Sequence, residues 1–419
     1  MKIDKQPSCS TAVEPGVITV PEAVSNILNK ITPITDFSKL HIRQCLKRIV
    51  FEDIKSPIDV PGFNNSAMDG YAVSSDDLPT GQSKTFTIVG TAFAGKPFKG
   101  KFGINECVRI MTGAMVPEQA DTIVIQEDIQ LLDSTSIEIG SGHNKNQNFR
   151  YAGEDIKTGS TVFAQGHVIK AADLGVLASL GINEIKVVRK PRVSFFSTGD
   201  ELKSIGDTLV KGEIYDSNRY SLYGLLSDCD VDIIDMGAVL DDPDTIRQTL
   251  LSATACSDVI LTSGGVSVGE ADYIKGILQE IGNMDIWKIA MKPGRPLTFG
   301  QIENSMFFGL PGNPVAVMVT FYQFVKPALN KIKGMPLKAP LSLKATSLSS
   351  IRKNPGRREF QRAIASTDEN GNLQVALTGK QGSGILTSMS QANCFIVLTE
   401  KRGSVEQGDQ VDIQFFELY

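Results

Sequence analysis

The sequence predicts a multidomain α/β protein organised around a doubly wound parallel sheet, with a β-rich inserted domain, a mixed α/β segment and a small C-terminal β-barrel. Three observations carry this expectation. The chain has 419 residues, enough for about three cores rather than one. From Pro191 onward, short apolar runs alternate with segments of helical periodicity, the pattern of strands and covering helices. Three glycine-bearing stretches, TSGGVSVGEAD, MKPGRP and LPGNP, each directly follow an apolar run, where a wound sheet presents its ligand site.

Taken in order, residues 1–16 are polar and punctuated by proline. They read as a disordered leader and lack the apolar core of a secretory signal. A mixed α/β domain is expected from 17–60 together with 150–189. Its first helix begins at Pro21, because Val24, Ile27, Leu28 and Ile31 recur at helical spacing and stop before Pro33. KLHIRQCLKRIV is expected to form a second helix, followed by the extended FEDIKSPIDVPGF. Between 61 and 149 the pattern changes to short strand-like runs broken by glycine, such as FTIVGTAFAG, CVRIMTG and DTIVIQED, so a β-rich domain interrupts the mixed one. The chain then returns through the helix AADLGVLASLG.

The doubly wound domain is expected over 190–335. RVSFFSTG, VDIIDMGAV, DVILTSGG, DIWKIAMKPG and SMFFGLPGNP read as strands. Helices are expected at NRYSLYGLLSDC, DPDTIRQTLLSATAC, YIKGILQEIG and VAVMVTFYQFVKPALNKIKG. Strands apolar on both faces require helices on both sides. Residues 336–419 lose the helices and carry a hairpin signal at ENGNLQV, hence the β-barrel.

Composition excludes several classes of function. A net charge of −5 lacks the basic excess of a nucleic-acid binder. No apolar run approaches the roughly 20 residues of a bilayer span. Neither nucleic acid nor membrane is therefore an expected partner, and the expected location is cytoplasmic. The 6 cysteines are scattered without a C-x-x-C pair, which favours buried thiols over a zinc site or disulfides. His41, His143 and His167 are too dispersed for a histidine metal cage.

Chemistry concentrates in the loops that follow strands. Gly264 and Gly265 permit close backbone approach, and Ser263 and Ser267 add hydroxyls. Asp200, Glu201, Asp241, Asp242 and Asp272 fall just past predicted strands or at helix starts. Carboxylates gathered beside an anion cradle repel one another unless a magnesium-like cation sits among them. Asp242 before Pro243 equally suits a helix N-cap. In DIWKIAMKPGRP, Lys288 and Lys292 are expected on one face of a single strand, about 13 Å apart. That is the span of an extended phosphorylated ligand, beside which Arg295 offers a planar fork for oxyanions. A solvated edge strand with snorkelling lysines is the alternative. LPGNP opens a helix through Pro314, with Asn313 as its expected N-cap. In the β-rich region Asp69 beside Gly70, and Thr112 beside Gly113, suit either a ligand or a turn. In PGRREFQR and GKQGSG, the side chains of Arg357, Arg358, Arg362 and Ser383 either bind anions or stay solvated.

From about Val17 to the C-terminus, PGFNNSAMDGYAV, RIMTGAMVPEQADTIV, GEDI, STGDEL, YDSN, TSGGVSVGEADY, KIAMKPGRP, GLPGNPVA, PGRREFQR and QGSG occur in that order. Together they resemble the MoeA family of molybdopterin molybdenumtransferases, to which the C-terminal region of gephyrin belongs. The third region alone is also similar to stand-alone molybdopterin adenylyltransferases. The resemblance implies a transferase of molybdenum cofactor biosynthesis, with a doubly wound domain of the molybdopterin-binding type. Such an enzyme takes adenylylated molybdopterin, inserts molybdate at the dithiolene sulfurs and releases AMP with magnesium present. The resemblance implies that Glu201, Asp241 and Asp272 form an acidic, metal-associated cluster, with Asp69 a further catalytic acid. It implies that Lys288, Lys292, Arg295 and Arg357 hold the pterin phosphate and molybdate, helped by Ser383, while Ser263, Gly264, Gly265 and Ser267 are expected to bind substrate from the chemistry of their own loop. Pro311 and Pro314 shape the adjoining loop.

The family also places Asp69, Thr112 and Asp155 at the site, the β-rich domain of one subunit reaching over the doubly wound domain of the other. A homodimer with two shared clefts is implied, and a molybdopterin adenylyltransferase and molybdoenzyme chaperones are implied as further partners. Two positions depart from the family pattern. Asn64 stands where aspartate is frequent, which removes a charge near the inserted loop, and Arg295 replaces a common lysine, which changes the geometry of the charge. Two rivals stay open: an adenylyltransferase that charges molybdopterin from ATP, and a non-catalytic scaffold that binds pterin or partner proteins.

Overall fold

The computed structural model describes residues 16–264 and 273–416. Residues 1–15 of the expected leader, and Gly265, Ser267 and Asp272, lie outside the described residues. The chain divides into two compact units. One comprises the chain up to Ser38, Lys47–Ile49 and everything from Val188, and the other Lys39–Leu46 and Val50–Val187.

The first unit is built on a seven-stranded sheet, in the order Val17–Ile18, Asn283–Ile289, Pro296–Ile302, Ser305–Leu310, Val259–Ser263, Arg192–Thr198, Asp232–Val239. Neighbouring residues of its central strands enter different cores. Phe195, Leu261 and Phe308 face a core shared with the helices Val20–Lys30, Ser217–Ser227 and Lys326–Ile332. Phe196, Ile260 and Phe307 face a second core with Pro243–Thr254 and Tyr273–Ile281. Burial on both faces is why these strands read as unbroken apolar runs, and it makes the sheet doubly wound.

Helix starts follow local chemistry. Thr19 and Glu22 form a capping box on Val20–Lys30, and Asp242 accepts a 2.9 Å bond from the Thr245 N–H.

The four strands from Asp232–Val239 to Ser305–Leu310 are parallel. Beyond them the sheet is mixed. Pro296–Ile302, a strand absent from the sequence expectation, pairs antiparallel with both its neighbours. Ile302 and Ser305 are paired across a two-residue connection with Glu303 at φ 49°, and so tight a turn allows only antiparallel strands.

The lysine-bearing strand also differs from expectation. Asn283–Ile289 ends before Ala290, and Met291–Lys292 joins a different sheet by pairing with Arg358–Thr367. The backbone is drawn away because Ile289 N–H bonds to Arg295 O at 2.8 Å and Ala290 N–H to Ile18 O at 2.8 Å. Lys288 and Lys292 therefore do not share one face of one strand.

The C-terminal region closes into a five-stranded barrel, Arg358–Thr367, Leu373–Leu377, Leu343–Ser347, Gln410–Phe415 and Cys394–Leu398, the last returning to the first. It has its own core around Ala363, Val375, Ile396 and Ile413. The turn of the expected hairpin is fixed by Asp368, whose Oδ1 accepts from Asn370 N–H and Asn372 N–H.

The second unit contains a six-stranded sheet in the order Thr122–Ile125, Gly70–Val73, Glu106–Ile110, Lys84–Ala92, Ser136–Ile139, Ile129–Leu131, with a core on each face. A further core gathers Cys45, Val50, Phe163 and Leu177, the last from the helix Ala171–Ser179. The helix expected at KLHIRQCLKRIV is not formed. Phe37–His41 is a strand with alternating exposure and Ile42–Gln44 a single 3-10 turn. Lys47 then takes φ 65°, a left-handed conformation that no helix continues through. Among the described residues no helix is long and apolar enough to cross a membrane.

Candidate functional site

A cleft of about 850 Å³ opens in the first unit. Its walls come from loops remote in sequence. Glu201 follows the strand Arg192–Thr198, and Gly264 follows Val259–Ser263. Lys292 and Arg295 flank the 293–294 turn. Pro311 and Pro314 follow Ser305–Leu310, while Arg357 and Ser383 belong to the C-terminal region. Eight of the sequence candidates thus share one cavity.

The backbone around the cleft is tightly determined. Gly264 has φ +88°, and a Cβ there would lie 2.6 Å from the Thr198 carbonyl oxygen, so only glycine fits. Strand Val259–Ser263 is tied to Arg192–Thr198 by the Ser263 and Ser197 hydroxyls, 3.0 Å apart. Ser263 is buried and is not part of the cleft wall. Asn218 donates a 2.7 Å bond to the Gly312 carbonyl, which secures the 311–313 loop. The N–H of Val315 bonds to the Ser383 carbonyl at 3.0 Å, fastening that loop to the C-terminal one. Asn313 occupies the N-cap position but makes no side-chain capping bond.

The electrostatics are of two kinds. Lys292, Arg295 and Arg357 surround the cavity with positive charge. Among the described residues Glu201 is the acid in the wall, whereas Asp241 lies outside it, its N–H meeting Asp200 Oδ1 at 3.3 Å. Burial, and then the charges of Asp200 and Glu201, push the Asp241 carboxyl above its ordinary range. Crowded hard-oxygen donors of this kind suit a hard cation. Among the described residues no three His, Cys, Asp or Glu side chains converge as a ready metal cage, and Asp272 lies outside them.

The remaining candidates fall elsewhere. Lys288 is exposed and not part of the cleft wall. In the second unit Asp69 and Thr112 are brought together, Asp69 Oδ1 accepting from the Thr112 N–H and hydroxyl, both at 2.7 Å. These bonds, the backbone one first, hold the Asp69 carboxyl below the usual range. Asp155 is exposed, and its N–H bonds to Val60 O. The Asn64 amide oxygen accepts a 2.9 Å bond from Ala152 N–H, so this position ties two loops together.

The sequence reading left Arg362 undecided, and the structure buries it. It is 1% exposed and donates to Ser388 Oγ and the Gly382 carbonyl, both at 3.1 Å. Gln381, a wall residue, bonds the Arg362 N–H and carbonyl with its side-chain amide. Burial pushes the Arg362 guanidinium down to about 10, so it remains charged at neutral pH. The signal in the sequence was period-two alternation from the core residue Phe360, which turns Arg362 inward.

Three family models match the chain: MoeA N-terminal region (domain I and II) over residues 18–181, a probable molybdopterin binding domain over 197–331, and MoeA C-terminal region (domain IV) over 344–416. The chain is 42% identical to a molybdopterin molybdenumtransferase of Haemophilus influenzae over 96% of its own length and 99% of that protein. It is 34% identical to a molybdopterin molybdenumtransferase of Staphylococcus aureus, covering 94% of itself and 95% of the relative. It is 34% identical to gephyrin of Dictyostelium discoideum over 94% of its own length, spanning 61% of that longer protein. The crystal structure of a molybdopterin biosynthesis moeA protein from Pyrococcus horikoshii matches with a TM-score of 0.83 at 28% identity, over 96% of this chain and 100% of that one.

Proposed function

Since this chain belongs to the MoeA family of molybdopterin molybdenumtransferases, we propose that it inserts molybdate into adenylylated molybdopterin, releasing AMP with magnesium present and leaving molybdenum cofactor. The observation that carries the reading is the convergence of Glu201, Lys292, Arg295, Arg357 and Ser383 on one cleft. Both substrates are anions, and the wall of this cavity carries the cationic side chains of Lys292, Arg295 and Arg357.

In cleavage of the adenylylated substrate a water oxygen bonds to the pterin-side phosphorus as the bridging P–O bond of the phosphoanhydride breaks, so that AMP leaves with the bridging oxygen, molybdopterin keeps its terminal phosphate and the water proton passes to solvent. Negative charge grows on the phosphate oxygens, and Lys292, Arg295 and Arg357 stabilise it by position and electrostatics, without forming a bond to phosphorus. Ser383 adds a hydroxyl donor, and Pro311 and Pro314 fix the loop against which the ligand lies. Magnesium would supply further neutralisation of the charge that develops there. Glu201 and Asp241 would hold it, with Asp272 as the third carboxylate. Asp69, Thr112 and Asp155 join the site in a homodimer whose two clefts are each completed by the other subunit.

The test is AMP release by the purified protein given adenylylated molybdopterin, molybdate and magnesium. AMP formation that requires all three supports the reading. Consumption of ATP with molybdopterin, and no reaction with the adenylylated compound, would replace it with an adenylyltransferase.

A further inference from the structure

Lys292 stands at the cleft wall with its side chain 52% exposed. A lysine so exposed has many rotamers, and something must hold it if it is to serve a defined phosphate oxygen. Its backbone is registered against the barrel, where Lys292 is the Cα partner of Glu359. Glu359 is 5% exposed. One carboxylate oxygen lies 3.7 Å from Lys292 Nζ, and the other accepts a 2.5 Å bond from Gln361 Nε2. Lys353 is 3% exposed, donates to the Arg402 carbonyl at 2.7 Å, and feels the charge of Glu359.

A buried carboxylate beside a cleft that collects anions opposes ligand binding, so its presence there calls for another use. At 3.7 Å the contact is an ion pair but too long for a hydrogen bond. It aims the ammonium while leaving its N–H groups available to a ligand oxygen.

We propose that Glu359 is a positioning residue that aims Lys292 at the reacting phosphate from behind the cleft wall, raising turnover at the expense of anion affinity. The inference rests on the reading of this cleft as the site of the transferase reaction.

The experiment is a double-mutant cycle on AMP release, using Glu359→Gln, Lys292→Gln and the pair, with inorganic phosphate as the binding probe. Glu359→Gln should lower kcat about tenfold or more, since small misplacements of a catalytic group have effects of that order. KM and the phosphate Kd should stay level or fall. In the Lys292→Gln background the same change should alter the residual kcat less than twofold. Independent, multiplying effects of the two substitutions would overturn the inference, as would a raised KM with kcat intact. If melting curves show that Glu359→Gln does not fold, Glu359→Asp takes its place in the cycle, with the same two outcomes deciding. A wild-type protein that releases no AMP would overturn the functional reading itself, whereas an active wild type with independent effects would remove only Glu359.

Discussion

Two glycines of the cleft make a matched pair whose fates should diverge. Gly264 has φ +88°, and an added Cβ would stand 2.6 Å from the Thr198 carbonyl oxygen. Gly312 lies in the same cavity wall, yet a Cβ there meets nothing nearer than the Gly264 Cα at 3.9 Å. For Gly264→Ala the left-handed backbone costs about 1–2 kcal/mol. The overlap with a backbone atom that cannot swing aside adds about 1–3 kcal/mol. The total is at least roughly 2 kcal/mol, or about 4–8 °C in Tm for a cooperative unit of this size. Gly312→Ala should shift Tm by no more than about 1–2 °C, since an ordinary van der Waals contact carries no such strain. Thermal unfolding followed by circular dichroism distinguishes the two, with AMP release measured in parallel. Gly264→Ala should also lose most of its turnover, because relief of the overlap moves the loop. Equal melting temperatures for both variants and wild type, with turnover within twofold, would refute the reasoning.

Three other outcomes are expected. Asp272→Asn should abolish AMP release while the protein still binds AMP, checked by calorimetry beside the turnover assay; unchanged turnover would remove Asp272 from the chemistry. Arg362→Met should weaken inorganic phosphate binding several-fold, because the guanidinium bonds the Gly382 carbonyl of the cleft wall and its removal takes away a positive charge that attracts the anion; an unaltered Kd would show that the buried guanidinium does not act on the cleft. Asp69 has its carboxyl held low by Thr112, so its contribution to stability is present above the unfolded carboxylate range and disappears as pH falls through the folded value. Asp69→Asn should therefore flatten the loss of stability below about pH 4, and an acid-unfolding curve superimposable on that of wild type would contradict this.

The parts of the fold legible in the sequence were those where one physical cause dominates. Strands around Phe195, Ile260 and Phe307 announce themselves because both faces are buried. The ENGNLQV hairpin does so because Asp368 and Gly371 supply its turn chemistry. Pro296–Ile302 was missed because it starts at a proline directly after a glycine-rich turn, and its place is set by pairing on both sides rather than by its own pattern. KLHIRQCLKRIV misled because its apolar spacing suits a helix, whereas a left-handed Lys47 cannot be read from a lysine. In the site, the glycine and proline loops were readable as cleft walls. The division of the two lysines between separate sheets was not, because it follows from the bonds of Ile289 and Ala290 to Arg295 and Ile18. Nor was the burial of Glu359, since strand alternation alone does not say that a barrel strand is covered on both faces.

The most direct test of the central claim, that this cleft holds the anions of the reaction, is anomalous diffraction at the molybdenum edge from crystals soaked in molybdate and AMP. The account predicts a molybdenum peak in the cavity bounded by Lys292, Arg295, Arg357 and Ser383, with AMP phosphate density beside it. An ordered molybdenum peak elsewhere on the chain, with that cavity holding only solvent, would contradict it.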